Sequence, residues 1–142
     1  MEIRECLNSD YERLYEINKN SFGYEYPIEK TKDKLSNILN RCTDKLYVAC
    51  IDDVVVGYIH GCDYECTYSD SLKNIMAIAV DETYRGKGIG KALLSAIEDW
   101  AKQCKCSGVR LVSGFDRVIA HEFYLSCGYI HRKQQKNFIK IF

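Results

Sequence analysis

The sequence has no excess of charge of either sign. It carries 20 Lys and Arg against 20 Asp and Glu in 142 residues. Proteins that hold nucleic acid by its phosphates normally show a basic excess, so nucleic acid is not an expected partner. No apolar run approaches the roughly 20 residues that span a bilayer, and Met1–Glu5 lacks the basic-then-apolar layout of a secretion signal. We therefore expect a cytoplasmic protein with no membrane partner.

Paired metal ligands are also missing. The chain has eight cysteines, but Cys62 with Cys66 and Cys104 with Cys106 do not form the C-x2-C pairs typical of zinc sites. A disulfide framework belongs to small secreted folds that cannot bury a core. A chain of this length, 46% hydrophobic, can bury one. We expect free thiols and no metal.

Proline occurs once, at Pro27, and no repeat or low-complexity linker interrupts the chain. These absences predict one domain over residues 1–142. In the first half, periodicity and turn residues predict one strand, then two helices, then three further strands. The predicted elements are a strand at Ile3–Cys6, a helix capped by Ser9 with Glu12 and ended at Gly23, a helix from near Thr31, a hairpin of 47–51 and 54–59 around Asp52–Asp53, and a strand at Ile75–Val80.

The second half alternates helices and strands. Apolar residues recur at spacings of three and four from Ile89 onward, which predicts an amphipathic helix that Gly108 ends. The remaining predicted elements are a strand at Val109–Val112, a helix capped by Asp116 that runs to about Ser126 before Gly128, and two closing strands at Tyr129–Arg132 and Asn137–Phe142. The order β-α-α-β-β-β-α-β-α-β-β defines a mixed α/β domain.

A glycine-rich loop, Asp81–Lys91, joins the Ile75–Val80 strand to the Ile89 helix. Glycines let the backbone approach a ligand with no Cβ in the way. The first amides of a helix lack intrahelical acceptors and lie at its partially positive end. A phosphate satisfies both conditions, and Arg85, Lys87 and Lys91 add positive charge. The loop therefore predicts a pyrophosphate site.

Two familiar phosphate loops are excluded by spacing. The P-loop needs Ser or Thr after its lysine, but Ala92 follows Lys91, and the glycines are too close together. The dinucleotide fingerprint needs a third glycine three residues after Gly88, where Lys91 stands. The remaining pattern is R-x-x-G-x-G, formed by Arg85, Gly88 and Gly90.

This pattern, after a strand ending in Ile78-Ala79-Val80, resembles the acetyl-CoA signature of the GNAT acetyltransferases. A second motif follows at Arg117–Tyr129: a helix with Ala120-x-x-Phe123-Tyr124, then Gly128 and an aromatic residue. Ser113-Gly114, Arg117 and Ala120-His121 are loosely similar to the aminoglycoside-acetyltransferase-like subgroup. The resemblance implies a single GNAT-type domain, with a central, mostly antiparallel mixed sheet flanked by about four helices.

The resemblance also implies roles for individual residues. Tyr124 matches the family tyrosine beside the coenzyme sulfur, where it would protonate or hydrogen-bond the leaving thiolate. Backbone groups of the strand would hold the pantetheine arm, with the Ile78 amide as oxyanion donor. Arg117 would help hold the coenzyme or cover the helix start. The implied acetyl-CoA-binding residues are Ile78, Ala79, Val80, Arg85, Gly86, Lys87, Gly88, Ile89, Gly90, Lys91 and Arg117.

The general base stays open. Some relatives use a glutamate on the fourth strand, but the matching residue is Asn74, which cannot accept the proton. His121, with an imidazole that titrates near neutrality, could act as the base or bond a neighbouring loop. The other candidates are Glu65, Asp63, His60, Glu25 and a water chain to bulk solvent.

Acceptors of the family usually enter over the first two helices and the hairpin. There the chain carries Tyr24, Glu25, Tyr26 and Glu65, which would suit a cationic amine through carboxylate pairing and cation–π contact. The same residues could also be ordinary exposed loop residues. Polyamine, aminoglycoside, amino acid and protein N-terminus all remain open as acceptors.

The function predicted is acetyl-CoA-dependent transfer of an acetyl group to a primary amine of a small molecule, by direct attack on the thioester. The alternatives are a protein or peptide N-acetyltransferase and a non-catalytic acetyl-CoA-binding sensor. Ile139, Ile141 and Phe142 alternate with Lys140 at the end of the chain. That edge could pair in a homodimer.

Overall fold

The computed structural model describes all residues from 1 to 142 and divides them into two compact units, Met1–Leu111 and Val112–Phe142. The first unit is built on a five-stranded sheet in the order β1-β2-β3-β4-β5. The first four strands pair antiparallel, and β4 with β5 is parallel. The strands are β1 Glu2–Glu5, β2 Asp44–Ile51, β3 Val54–Tyr64, β4 Leu72–Val80 and β5 Gly108–Leu111.

Four helices accompany this sheet, as the sequence predicts. The first unit contains α1 (Tyr11–Phe22), α2 (Ile28–Leu39) and α3 (Ile89–Gln103), and the second contains α4 (Val118–Ser126). With the strand pairing given above, this confirms the prediction of a mixed, mostly antiparallel sheet accompanied by about four helices. No helix combines the length and the apolar character needed to cross a membrane.

The β2–β3 hairpin confirms the turn predicted at Asp52–Asp53. Both aspartates have positive φ, 51° and 65°, and Ile51 pairs with Val54. Two left-handed residues form the turn whose twist matches that of the flanking strands. Aspartate tolerates this conformation better than most residues because its short side chain can bond the local backbone.

The two faces of the sheet bury different helices. Leu14, Ile17 and Leu35 of α1 and α2 form one hydrophobic cluster with Leu46, Val48, Cys50 and Tyr58 of the strands. Residues that alternate with Tyr58 on β3 lie on the opposite face. There a Cβ at Gly61 would lie 2.8 Å from Ile97 and 3.4 Å from Trp100 of α3. Gly61 therefore lets α3 pack closely on the sheet.

The predicted starts of the first two helices are wrong. Ser9 does not cap the first helix, because residues Asn8–Asp10 form a 3-10 turn and α1 begins at Tyr11. Asp10 instead accepts the Leu7 N–H at 2.8 Å and two bonds from the Arg4 guanidinium at 2.9 and 3.0 Å. The second helix begins at Ile28, directly after Pro27, since proline is tolerated at a helix start.

The fourth strand begins earlier than the predicted Ile75, at Leu72. Lys73 belongs to the added segment and is only 5% exposed. Its ammonium lies 2.5 Å from Asp63 and 4.0 Å from the centre of the Trp100 ring. A charged residue hidden by an ion pair and an aromatic face gives no apolar signal in the sequence.

The two closing strands predicted at Tyr129–Arg132 and Asn137–Phe142 are not formed. No residue after Leu111 belongs to the sheet. Ile130, Phe138, Ile139 and Ile141 are each 80% exposed or more. Alternating apolar residues indicate that one face could be buried, but a strand also requires a partner edge, and the pattern does not specify one.

Gly61→Val should destabilise the first unit. The added side chain must displace the fully buried Ile97 or the Trp100 ring, so we expect a loss of about 1–3 kcal/mol in the free energy of unfolding. Gly108→Val is the matched control, because a Cβ there meets only Leu72 at 3.6 Å. Urea unfolding measures both variants. Equal midpoints would contradict the close packing of α3 on β3.

Candidate active site

The parallel pairing of β4 with β5 covers only part of β4. Leu72 to Ile75 pair with Gly108 to Leu111, and the pairing ends there. From Ala77 to Val80, β4 pairs with β3 alone. The last residues of β4 therefore have one edge that forms no sheet hydrogen bonds.

A β-bulge adjoins this free edge. His60 pairs with Ala77 and Gly61 with Ile75, so Met76 is the extra residue. Beyond the bulge, the Asp81 N–H donates to the Val56 carbonyl at 2.8 Å. Because successive residues of a strand present their backbone groups to opposite edges, Ala79 also faces β3, while Ile78 and Val80 face the free edge. The Val80 carbonyl there accepts the Arg85 Nε–H at 3.2 Å.

The loop after β4 exposes a row of backbone donors. Gly86 and Gly88 have left-handed φ of 78° and 79°, and a Cβ at either would meet nothing within 4 Å. Gly88 is the N-cap of α3 and supplies no side-chain acceptor. The Arg85 N–H donates to the Glu82 carbonyl at 3.4 Å, and the next amide with an acceptor is that of Ala92, which donates to the Gly88 carbonyl at 3.1 Å. The amides of residues 86–91 have no acceptor in the chain.

Positive charge surrounds these donors. Arg85, Lys87 and Lys91 are exposed, and the Lys87 ammonium lies 5.3 Å from the centre of the Tyr84 ring. Ile89 is 2% exposed, so the first turn of α3 is anchored in the core. The partially positive end of a rigid, 15-residue helix and three cations thus meet at one loop, which suits an anion.

Asp81 and Arg13 fix the start of the loop, and sequence reasoning missed both roles. One Asp81 oxygen accepts the Thr83 N–H at 3.0 Å and the Thr83 hydroxyl at 2.9 Å. The other lies 3.1 Å from Arg13, whose Nε–H also donates to the Val55 carbonyl at 2.9 Å. The Thr83 N–H, with the guanidinium, holds the pKa of Asp81 below its ordinary value. The sequence does contain a signal for the first role, because an aspartate often bonds the backbone N–H two residues further along the chain.

In the second unit, the glycine of the second motif shapes the end of α4. Gly128 has φ of 90°, its N–H donates to the Leu125 carbonyl, and the Tyr129 N–H donates to the Tyr124 carbonyl at 3.0 Å. These are the paired bonds of a Schellman motif. The Tyr129 ring lies 6.1 Å from the Tyr124 ring. The motif therefore holds the last turn of the helix around Tyr124.

Tyr124 keeps its hydroxyl proton at physiological pH. Burial raises the pKa of Tyr124 above its ordinary value of 10.0, although the Arg117 charge lowers it in part. The phenol is therefore neutral at physiological pH. His121, one candidate base, donates its Nε2–H to the Gly114 carbonyl at 2.8 Å, so that nitrogen bonds the neighbouring loop.

A cavity of about 680 Å³ adjoins the segment between α1 and α2. Three of the four acceptor residues named from the sequence, Tyr24, Glu25 and Tyr26, line it, together with Tyr15, Asn18, Gly23, Pro27 and Thr31. Tyr24 and Tyr26 are 61% and 48% exposed. The cavity thus presents aromatic rings and one carboxylate.

The fourth predicted acceptor residue, Glu65, does not line that cavity. It follows β3 and accepts a hydrogen bond from the Ser71 hydroxyl at 3.0 Å. Asn74 accepts a bond of 2.5 Å from the Arg110 guanidinium, which also lies 4.2 Å from the centre of the Tyr64 ring. The position that matches the glutamate of some relatives is therefore an amide bonded to a cation.

A smaller cavity of about 180 Å³ shares Asn18, Tyr26 and Thr31 with the first. Apolar residues of α1, α2 and β2 line one part of it, and His60, Tyr58 and Lys34 contribute polar groups. The His60 Nε2 lies 2.7 Å from Asp44 Oδ2, and their side chains are 14% and 7% exposed. Although burial opposes it, the bonds from His60 and Thr43 hold the pKa of Asp44 below its ordinary value.

The comparisons with known proteins agree with this geometry. The sequence profile of the Acetyltransferase (GNAT) family matches residues 11–129. The chain therefore belongs to the GNAT family of acetyltransferases and is an acyltransferase. The six free amides, the open space at Gly86 and Gly88 and the surrounding cations fit the pyrophosphate of acetyl-CoA, the acetyl donor of this family.

Individual relatives point the same way. An uncharacterized N-acetyltransferase of Methanocaldococcus jannaschii is 34% identical over 94% of this chain and 80% of its own length. Streptothricin acetyltransferase of Escherichia coli is 28% identical over 82% of this chain and 67% of its own. The aminoglycoside N-acetyltransferase AAC(6')-Iy, solved with a bisubstrate analogue of CoA, has the same fold: TM-score 0.86, 17% identity, 99% of this chain and 97% of that one.

Gly88→Glu should abolish acetyl-CoA binding. A carboxylate at this position would repel and displace the pyrophosphate from the amides of residues 86–91. Calorimetric titration with acetyl-CoA measures the effect. Gly23→Glu is the matched control, because Gly23 also has a left-handed φ, 72°, with nothing within 4 Å of a Cβ. Both variants should lose about 1–2 kcal/mol of stability to backbone strain, and only Gly88→Glu should lose binding. Equal affinity in all three proteins would contradict the assignment.

Proposed function

We propose that residues 1–142 act as a single N-acetyltransferase domain that moves the acetyl group of acetyl-CoA to a primary amine of a small molecule. The observation that carries this proposal is the row of six amides at 86–91 without acceptors, directly after a strand whose outer edge is free. The first feature suits a pyrophosphate, and the second suits an amide-bearing pantetheine arm.

The chain's own groups would bind the coenzyme in three ways. The amides of residues 86–91 would donate to the pyrophosphate, and Arg85, Lys87 and Lys91 would neutralise its charge. The strand Ile78-Ala79-Val80 would pair with the pantetheine arm through the outward groups of Ile78 and Val80, as a further strand would. Arg117 would contribute positive charge from the second unit. No metal is needed for any of these contacts.

Two groups would act on the reacting atoms. The Ile78 N–H would donate to the thioester oxygen as it gains charge, in the manner of an oxyanion hole. The Tyr124 hydroxyl would donate a hydrogen bond or its proton to the leaving sulfur. A phenol with a pKa above 10.0 is the weaker acid compared with a thiol near 8.5, so proton transfer requires local stabilisation of the phenolate.

The acceptor would bind in the cavity lined by Tyr24, Glu25 and Tyr26. The Glu25 carboxylate can pair with an ammonium group, and the two rings can cover a cation or a ring face. This lining supports a small and cationic acceptor. The name of the streptothricin-acetylating relative supports a small-molecule acceptor as well.

A panel of amines tests the acceptor class. Spermidine, kanamycin, L-lysine and a peptide with a free N-terminus would each be offered with acetyl-CoA, and thiol release would be followed. We expect turnover with at least one of the three small cationic amines. If only the peptide is acetylated, the small-molecule acceptor is excluded and a peptide N-acetyltransferase is favoured. Tight binding of acetyl-CoA without acetylation of any amine would favour a non-catalytic sensor.

Glu25→Gln should weaken the use of that cationic amine. Because Glu25 is exposed, the lost pairing should lower kcat/KM for the amine by about 2- to 5-fold, the range of an exposed ion pair. The KM for acetyl-CoA should not change. Glu29→Gln removes an equally exposed carboxylate of α2 that does not line the cavity, and it should have no effect. Equal losses in both variants would indicate a general charge effect.

Tyr124→Phe should lower kcat by about 10²- to 10⁴-fold, the usual contribution of a positioned proton donor. The KM for acetyl-CoA should stay near the wild-type value. Because the pKa of Tyr124 is raised, the wild type should lose activity only as pH rises above about 10, and the variant should lack that basic limb. Tyr47→Phe is the control, since Tyr47 is a phenol in β2 whose pKa burial also raises. Unchanged kcat in Tyr124→Phe would remove the assigned role.

A further inference from the structure

The reaction needs a group that removes a proton from the amine. An alkyl ammonium has a pKa near 10, so almost all of the acceptor is protonated at neutral pH and has no free electron pair. Asn74, at the position matching the glutamate of some relatives, is an amide already bonded to Arg110. Glu65 does not line either cavity, and Asp63 pairs with Lys73.

His60 is placed to do this work. It pairs with Leu46 across β2–β3 and with Ala77 across β3–β4. Leu46 belongs to the core beneath α1 and α2, so the imidazole lies on that face of the sheet and lines the smaller cavity. Ala77 directly precedes Ile78, the residue whose amide faces the free edge of β4. His60 is therefore the cross-strand partner of the residue that precedes the proposed oxyanion donor.

Asp44 determines which ring nitrogen can act. A carboxylate only accepts, so Asp44 Oδ2 at 2.7 Å receives a hydrogen bond from His60 Nε2–H. In the neutral imidazole the other nitrogen, Nδ1, then carries the free electron pair. Nδ1 has no hydrogen bond from the chain. When Nδ1 gains a proton, the adjacent Asp44 carboxylate stabilises the imidazolium, as the aspartate of a catalytic triad does.

We propose that His60, oriented by Asp44, is the general base of the acetyl transfer. This inference rests on the proposed function. An N–H bond of the ammonium breaks, its proton passes to His60 Nδ1 directly or through one water, and the electron pair stays on the amine nitrogen. That pair forms the new N–C bond as the C–S bond breaks, and the proton that the acylated nitrogen then has in excess passes to the leaving sulfur, directly or by way of the Tyr124 hydroxyl. His60 then returns its proton to solvent.

Two charged side chains lie near His60. Lys34 of α2 lines the same cavity, and Asp44 of β2 contacts the imidazole directly. Tyr26 precedes α2, and Tyr58 on β3 donates its hydroxyl hydrogen to Asn18. Cys62 pairs with Asp44 across the β2–β3 hairpin. Burial raises the pKa of Tyr58 and of the Cys62 thiol, so both groups are neutral near pH 7.

His60→Gln tests the proposal. The Gln amide can still donate to Asp44 but cannot take a proton. With the most rapidly acetylated amine of the panel, we expect kcat/KM at pH 7 to fall about 10²- to 10⁴-fold, while the affinity for acetyl-CoA is unchanged. The pH profile of the wild-type rate should depend on a base that is absent from the profile of the variant.

A second variant separates chemistry from structure. His60→Ala should regain activity when free imidazole is added, and His60→Gln should not, because only the alanine leaves space for the ring. His131→Gln, an exposed histidine outside both cavities, should match the wild type. If the wild type acetylates amines while His60→Gln retains its rate and pH profile, or no imidazole rescue occurs, His60 is not the base. If the wild type acetylates no amine, the proposed function itself fails, whatever the variants do.

Discussion

The candidate site depends on one arrangement of the backbone: the amides of residues 86–91, none of which has an acceptor in the chain. Six free donors in succession cost free energy unless solvent or a ligand satisfies them. Several features of the first unit maintain this arrangement. Ile89 anchors the first turn of α3, Gly61 lets that helix lie close to the sheet, and the Asp81–Arg13 pair fixes the start of the loop. The fold thus keeps these donors together at the end of β4, which supports the proposed pyrophosphate site.

The end of β4 contributes the second part of the arrangement. Because β5 pairs only as far as Ile75, the outward groups of Ile78 and Val80 remain without sheet partners beside the loop. The bulge at Met76 lies where that pairing stops. The face of these strands that packs against α1 and α2 carries the buried His60–Asp44 pair and the two cavities, which share Asn18, Tyr26 and Thr31. Under the proposed function, acetyl-CoA would bind at this edge and the acceptor amine at this face.

Local patterns in the sequence predicted the features that depend on nearby residues. The Asp52–Asp53 turn, the amphipathic α3 and the glycine loop are all properties of short segments, and the structure contains each of them. The wrong predictions concern positions where two residues compete for one role, or where a segment needs a partner distant in the sequence. Asp10 caps the chain before α1 where Ser9 was expected, because Arg4 and the Leu7 N–H both bond its carboxylate. The closing strands were predicted from alternation, which cannot supply a partner edge.

The candidate site divides in the same way. The loop residues and Tyr24, Glu25 and Tyr26 were found from motifs and composition, whereas Glu65 lies away from the cavity. Arg13 and Asp81 are 68 residues apart, and the His60–Asp44 pair exists only through the β2–β3 register, so no local signal indicated either pair.

The central claim is that the amides of 86–91 hold the pyrophosphate. Amide NMR spectra recorded with acetyl-CoA and with acetyl-pantetheine test it directly. The account predicts that acetyl-CoA shifts the Gly86, Gly88 and Gly90 resonances and acetyl-pantetheine does not. Binding of acetyl-CoA that leaves these three resonances unmoved would contradict it.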